Sequence, residues 1–355
     1  MPTHKYTPLL RWKAGERQAL SELSPAAKAF VEPLIMLGSE QYAATKSPSK
    51  KPPRRTPKKA LLSAPEAFVQ QVLRAWGSEQ NVLLDASDLS DTGGAHHLDL
   101  IAQTARDEGV KLIPATRLEV APGYQQAVKR LLSVDRRGVA LRIRLAELAS
   151  APTWLRTWLC SPSETDLIVD LGNSVGDVAA LGVPVLDAFA ALHDGPNWRS
   201  VTVAGGSMPQ MLSGFKVGAT PLTRSELKLW RGLNLYGLPY RIDFGDYATV
   251  APDALTIDVP GSFSINAKYT LRDSFFVLHG VRTKGAGSLD RDVQFRNHAG
   301  DIVRLPTRGG LAHCWGDSQI DKIAAGGTSV SAGSPTTWVS FTVNRHIEVT
   351  RAHLP

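Results

Sequence analysis

The segment from residue 238 to residue 247, LPYRIDFGDY, joins an apolar alternating pattern to an acidic turn that contains a glycine. In an extended strand, Arg241 and Asp243 lie on the same face because side chains alternate with a period of two. Asp246 and Tyr247 follow the glycine. Charged side chains at the end of a predicted strand indicate a binding or catalytic site. The alternative is structural, with Arg241 and Asp243 neutralising each other inside a polar end of the fold.

Other strand-like segments of the chain also end in charged residues. Carboxylates in such a group suit a general acid and base or the ligands of a metal ion, whereas basic side chains suit an anionic group. The candidate catalytic residues are Asp85, Asp170 and Asp243. The candidate ligand-binding residues of the same region are Lys13, Arg142, Arg144, Arg241, Asp246 and Tyr247. The alternative is a polar plug, in which the basic residues pair with the aspartates and no reaction takes place.

An alternation of short apolar segments with longer helical ones must position these side chains. Strands are predicted at residues 6–13, 31–37, 81–88, 111–118, 138–145, 166–172, 199–205 and 239–245. Strands that alternate with helices form parallel sheets, and eight in about 250 residues predict closure into a (β/α)8 TIM-like barrel. An open doubly wound sheet is the rival, but no GxGxxG or GxxxxGK[ST] motif follows any of these strands. Since the carboxyl ends of barrel strands meet at one rim, Lys13, Arg142, Asp170 and Asp243 are expected in one cavity there.

After residue 250 the pattern changes to short strands, turns and glycines. Two domains are therefore predicted: residues 1–250 form the barrel, and residues 251–355 form a smaller, β-rich C-terminal α+β unit packed on the barrel. Within this unit we predict strands at residues 263–269, 274–281 and 336–348. Residues 315–317 are predicted to form a turn. The unit shows no obvious core of its own.

A basic, proline-rich segment at residues 46–59, KSPSKKPPRRTPKK, is predicted to be a disordered insertion into the barrel. Removing its seven Lys and Arg from the 40 of the whole chain leaves 33, which equals the number of acidic residues. The net charge of +7 therefore originates here. Such a segment attracts polyanions through counterion release, although a solvated surface insertion is an equally good interpretation. The candidate nucleic-acid contacts are Lys50, Lys51, Arg54, Arg55, Lys58 and Lys59.

Membrane and redox signals are weak in this sequence. The opening MPTHKYTPLL lacks the apolar run of a signal peptide, and no segment has enough consecutive apolar residues to span a bilayer. A cytoplasmic location and no membrane contact are expected. Cys160 and Cys314 are far apart and match neither a disulfide framework nor a zinc-ligand spacing, so free thiols are expected.

Several segments in a fixed order resemble the Beta protein family of phages and bacterial mobile elements. They are YTPLLRWKAGERQAL, VEPLIML, VLLDASD, FGDYATVAPD, INAKYTLRDSFFVLHG, CWGDSQI and WVSFTVNRHIEV, which are spread over nearly the whole chain. The basic insertion departs from the family pattern. No catalytic residue is carried over by this resemblance. Where the matching segments approach the predicted rim, Lys268 and Tyr269 of the C-terminal unit join the candidate ligand-binding residues.

The resemblance implies a role in conflict between mobile elements and their hosts. The preferred function is accordingly that of a phage or mobile-element defence or immunity protein, antitoxin-like, which binds a co-encoded partner: a defence or toxin protein, or a nucleic acid. The alternative is a TIM-barrel enzyme acting on a phosphorylated or nucleotide-like substrate. In that alternative the rim arginines and Lys13 hold phosphate, and the aspartates hold a divalent cation.

Overall fold

The computed structural model describes residues 4–44, 62–92, 94–177, 182–192, 197–212, 214–253, 264–308, 313–327 and 329–355. The basic segment and its six candidate nucleic-acid contacts lie outside these residues. The described strands are β1 Tyr6–Leu10, β2 Leu34–Met36, β3 Val82–Asp85, β4 Asp91–Thr92, β5 Ala95–His96, β6 Leu112–Thr116, β7 Val139–Ile143, β8 Thr165–Asp170, β9 Ser200–Gly205, β10 Gly218–Thr223, β11 Asp243–Asp246, β12 Ser264–Thr270 and β13 Ser274–Arg282.

Helices alternate with most of these strands. They are α1 Ala14–Ser21, α2 Pro25–Lys28, α3 Ser39–Ala44, α4 Ala64–Ala75, α5 His97–Asp107, α6 Pro122–Asp135, α7 Leu145–Leu148, α8 Ala151–Trp154, α9 Val183–Ala190, α10 Ser225–Leu235, α11 Arg291–Val303, α12 Trp315–Ala325 and α13 Pro335–His353. Among the described residues no helix is both long enough and apolar enough to cross a membrane.

Eight strands form a closed parallel barrel in the order β1-β11-β9-β8-β7-β6-β3-β2, and β2 pairs in turn with β1. The first and last strands pair in register, with Tyr6 opposite Phe244 and Pro8 opposite Asp246. All eight lie within or at the edge of predicted strand segments, so the predicted (β/α)8 barrel is confirmed. A rival open sheet would leave β1 and β11 unpaired.

The barrel strands are apolar on both faces because both faces are covered. Leu9, Leu34 and Ile168 fill the lumen, whereas neighbours such as Leu10 pack between the strands and the surrounding helices. The same alternation turns Arg142 inward, since Leu141 and Ile143 pack on the helix side.

An additional three-stranded antiparallel sheet has the order β10-β13-β12. Its strands β12 and β13 match the predicted ones, but β10 comes from the chain between β9 and α10 and was not predicted. This sheet packs with α11, α12 and α13 around a core that includes Tyr269, Phe295, Ile320 and Trp338. The expectation that the C-terminal unit has no core of its own is therefore wrong. The domain boundary near residue 250 stays a prediction.

The last helix, α13, lies where sequence alternation predicted a strand at residues 336–348, so that prediction is wrong. Pro335 occupies the first turn and Ser334 caps the helix, accepting a hydrogen bond from Thr337 N. The apolar and β-branched residues that suggested a strand occur on several sides of this helix, because the helix is buried on several sides. Val343 and Ile347 belong to the barrel core, whereas Trp338 belongs to the second core.

The position of α13 completes the barrel. It packs against α1 and β1 on the outside of the strands. A helix that follows the eighth strand of such a barrel covers this same seam between the last and the first strand. The segment between β11 and α13 is thus an insertion between the last strand of the barrel and its final helix.

Candidate functional site

Arg142 is the centre of a polar network at the carboxyl-terminal mouth of the barrel. Its Nε donates to Asp170 Oδ2 at 2.7 Å, and its Nη2 donates to the Tyr247 hydroxyl at 3.1 Å. Its Nη1 lies 3.5 Å from Asp85 Oδ2. Three different strands therefore supply partners to one guanidinium group.

The ends of the parallel strands explain why these side chains meet. Asp85 is the last residue of β3, Asp170 is the last residue of β8, and Tyr247 follows β11. Asp170 also accepts a hydrogen bond from Gly172 N at 2.9 Å, and Asp85 accepts one from Ser87 Oγ at 2.6 Å. Both carboxylates are thus held in place by the turn that follows their own strand.

Burial and charge together fix the protonation of Tyr247 and Arg142. Burial raises the pKa of Tyr247, and the neighbouring Asp170 raises it further, so the phenol stays protonated and donates to Asp170 Oδ2 at 2.6 Å. Burial alone would lower the pKa of Arg142, but Asp170, Tyr247 and Asp85 raise it above its ordinary value. The network therefore holds a permanent cation between two carboxylates.

A cavity of about 350 Å³ opens above Arg142. Its lining consists of Arg117, Glu119, Arg142, Ile143, Arg144, Glu147 and Asp170. The side chain of Arg117 is 43% exposed and reaches Asp85 at 3.0 Å through one nitrogen. The side chain of Arg144 is 79% exposed and pairs with Glu147 at 3.1 Å. Arg117 was not among the predicted site residues, although it directly follows β6, close to the strand end as Asp85 and Asp170 are in β3 and β8.

Arg241 and Asp243, which were predicted at the rim, lie at the opposite end of the barrel, so their expected location is wrong. Asp243 is the first residue of β11, not one of its last. It accepts a hydrogen bond from Lys5 N at 3.1 Å and pairs with Arg241 Nε at 3.0 Å. Residues 239–242 are not in the strand, so β11 begins about four residues later than predicted. The inward face of Asp243 was predicted correctly, but its end of the strand was not.

Asp246 faces the outside of the barrel and joins it to α13. Its carboxylate accepts a hydrogen bond from the Tyr6 hydroxyl at 2.6 Å and lies 2.7 Å from His346 Nε2 and 3.3 Å from Arg224. Burial raises the pKa of Asp246, but His346 and Arg224 lower it by more, so the net pKa lies below its ordinary value. This buried cluster fixes the last helix on the strands, away from the mouth.

The remaining predicted residues, Lys13, Lys268 and Tyr269, do not line the cavity at the mouth. Lys13 precedes α1, where its backbone N donates to Glu16 Oε2 at 2.8 Å, and it lines a second cavity together with Lys268. The hydroxyl of Tyr269 donates to Asp317 at 2.7 Å in the second core. Asp317 belongs to the first turn of α12, so the turn predicted at residues 315–317 is wrong.

The geometry does not suit the divalent cation of the enzyme alternative. Asp85 and Asp170 are engaged by Arg142, and the third expected ligand, Asp243, lies at the other end of the barrel. Among the residues that the structure describes, no group of three or more His, Cys, Asp or Glu could hold a metal ion.

Fold and site together define a (β/α)8-barrel protein with an arginine-lined mouth and an additional sheet. Residues 6–351 match the model of the Beta protein family, so the chain belongs to that family. No curated protein matches the chain.

Proposed function

We propose that the mouth of the barrel binds a phosphorylated or nucleotide-like compound through Arg117, Arg142 and Arg144. The observation that carries this proposal is the 350 Å³ cavity at the strand ends, which all three arginines line. Ligands of (β/α)8 barrels bind at this face because loops from every strand meet there.

The lining also contains Glu119, Glu147 and Asp170, so the proposal depends on the free donors of the arginines and not on an excess of positive charge. Asp170 accepts hydrogen bonds from Arg142, Tyr247 and Gly172, which together occupy both of its oxygens. Arg117 and Arg144 each have five N–H groups and use only one nitrogen in their pairs with Asp85 and Glu147. The spare donors favour a phosphate, whose oxygens suit the planar guanidinium fork.

Arg142 has a different part in the proposed site from the two exposed arginines. It is held rigidly between Asp85 and Asp170, so it supplies a fixed positive charge at the base of the cavity. Arg117 and Arg144 are exposed and supply adjustable contacts above it. A ligand with two linked phosphates would contact both Arg142 at the base of the cavity and the exposed arginines above it.

Isothermal titration with pyrophosphate and with ADP, at low ionic strength, tests the proposal. Replacing Arg117 and Arg144 together by Gln is expected to weaken binding by about tenfold to a hundredfold, since each removes a charge-assisted hydrogen bond. Arg304→Gln is the matched control, because Arg304 is equally exposed and pairs with Asp301 at the same helical spacing as Arg144 with Glu147. Equal binding by the double variant and the wild type would contradict the proposal.

From the family resemblance we also propose the immunity role, in which a co-encoded defence or toxin protein, or a nucleic acid, is the partner and the cytoplasm is the location. Membership of the Beta protein family supports this proposal. Affinity purification of the tagged chain, expressed together with its neighbouring genes, tests it. A neighbouring gene product or a nucleic acid that copurifies in fixed ratio is the expected result, and copurification of neither would contradict it.

A further inference from the structure

A second cavity, of about 390 Å³, lies between the barrel and the additional sheet. It is formed by the start of α1, by β12, by α11, by α13 and by the loops after β9 and β11. Its walls are largely apolar and include Leu212, Phe295, Trp338 and Val339. A volume in this range accommodates a small organic molecule.

Lys268 is the charged residue from β12 that lines this cavity. Among the described residues, no carboxylate pairs with its Nζ and no group accepts a hydrogen bond from it. A lysine ammonium that is removed from water without a partner is costly, because desolvation disfavours the charged form. Burial accordingly lowers the pKa of Lys268 to about 8.

Two further polar groups of the lining are relevant to what the cavity accepts. Lys13 adds a second cation, whereas the carboxylate of Glu16 is already occupied by the backbone N of Lys13 at 2.8 Å. Asn266 Oδ1 is buried and accepts no hydrogen bond within the described residues. The cavity therefore combines two lysines, one unused acceptor and apolar walls.

We propose that this cavity binds a small carboxylic acid with an apolar body, whose carboxylate pairs with Lys268. The apolar body lies against Phe295, Trp338 and Leu212, where it removes apolar surface from water. Lys13 strengthens the pairing through its charge. A donor group on the ligand would satisfy Asn266 Oδ1. The site is separate from the arginine-lined mouth and does not depend on the function proposed for it.

The proposal has a definite pH dependence. Only the ammonium form of Lys268 pairs with a carboxylate, so the pKa of Lys268 rises when the acid binds. Below about pH 8 the lysine is already protonated, and affinity is at its maximum. Above that pH, binding requires proton uptake, and affinity falls by up to about tenfold per pH unit. Lys13 and Glu16 are the other titratable groups of the lining.

The test compares 3-phenylpropionate with its neutral amide, by isothermal titration between pH 7 and pH 9.5. The acid is expected to bind the wild type about tenfold more tightly than the amide at pH 7, and this difference should shrink as the pH rises. Lys268→Met should remove most of the difference at every pH, since Lys13 is then the one lysine left in the described lining. Lys268→Arg should keep it and make it independent of pH, since arginine remains charged. Lys228→Met, at an exposed position of α10, is the matched control.

Circular dichroism and a thermal melt of each variant identify any variant that fails to fold. If Lys268→Met does not fold, the pH dependence of Lys268→Arg is compared with that of the wild type instead. Equal affinities of the wild type for acid and amide, or no detectable binding of either, would overturn the proposal. An acid preference that is undiminished in Lys268→Met would overturn it as well. Pyrophosphate binding by Lys268→Met should match that of the wild type, because the arginine-lined mouth does not include this residue.

Discussion

Two aspartates of this chain show that the position of a residue along its strand determines the end of the barrel at which it lies. Asp170 and Asp243 are both buried, both face into the barrel and both pair with an arginine. Asp170 ends its strand and belongs to the mouth, whereas Asp243 begins its strand and closes the opposite end. Only the first can influence a ligand bound at the mouth.

Replacing each of these aspartates by Asn separates the two positions. Both changes are expected to lower the free energy of unfolding by about 1–3 kcal/mol, since a neutral amide replaces a buried carboxylate that pairs with an arginine and accepts further hydrogen bonds. Asp170→Asn should also bind pyrophosphate about fivefold more tightly, because it removes a negative charge from the cavity. Asp243→Asn should leave binding unchanged.

Urea denaturation and isothermal titration of both variants measure these effects. Weaker pyrophosphate binding by Asp170→Asn would contradict this prediction, since it would mean that the hold of Asp170 on Arg142 matters more for binding than its negative charge. A change in binding by Asp243→Asn would place the site at the other end of the barrel.

The sequence predicted the inward face of both Arg142 and Asp243 because apolar neighbours mark the other face. Leu141 and Ile143 flank Arg142, and Ile242 precedes Asp243. It did not predict where β11 begins, since Pro239–Ile242 continues the same apolar alternation without pairing to a neighbouring strand. Strand pairing is a long-range property, and side-chain alternation in one segment carries no information about it.

At the scale of elements, α13 is the clearest case in which local pattern and tertiary structure disagree. The segment WVSFTVNRHIEV has the β-branched and aromatic content of a strand. It is helical because it must present apolar groups to two cores at once, with Val343 and Ile347 on one and Trp338 and Phe341 on the other. Capping by Ser334 with Pro335 was the local signal that predicts a helix start.

The close approach of α12 and α13 depends on Gly316. Its backbone N donates to Asn344 Oδ1 at 3.0 Å, and a Cβ at this position would collide with the backbone carbonyl of Phe341. Gly316→Ala is therefore expected to destabilise the protein by about 1–3 kcal/mol, because two helices must separate.

Gly300→Ala is the control for this effect. A Cβ at Gly300 would meet nothing closer than Arg304 Nη1 at 3.4 Å, and alanine favours the helix by about 0.5–1 kcal/mol. Thermal melts of the two variants should therefore shift in opposite directions. A Gly316→Ala variant as stable as the wild type would show that α12 and α13 are not in such close contact.

The barrel architecture of the molecule was easier to predict from the sequence than the position of its individual elements. Eight apolar segments separated by helices are enough to predict closure, since both faces of every strand must be covered. The participation of β10 and α13 was not predictable in this way. Each is far along the chain from the elements it packs against, and only the assembled fold brings them together.

At the scale of the whole molecule, binding of nucleic acid by the basic segment at residues 46–59 stays a prediction. Replacing its seven Lys and Arg by Ser would bring the formal net charge from +7 to zero. Non-specific binding of DNA or RNA at low salt should then weaken strongly and lose most of its salt dependence. The melting temperature should stay the same. Fluorescence anisotropy with a labelled oligonucleotide at several salt concentrations checks this, and unchanged binding would mean that the rest of the chain carries the contact.

The central claim is that a phosphate-like anion binds at the arginine-lined mouth of the barrel. The most direct measurement is the anomalous difference density of crystals soaked in tungstate, a tetrahedral oxyanion with a strong anomalous signal. We predict a peak within hydrogen-bonding distance of Arg117 and Arg144, above Arg142, which is absent from crystals of the double Gln variant. Tungstate density elsewhere on the molecule with none at this mouth, or no density at all, would contradict the account.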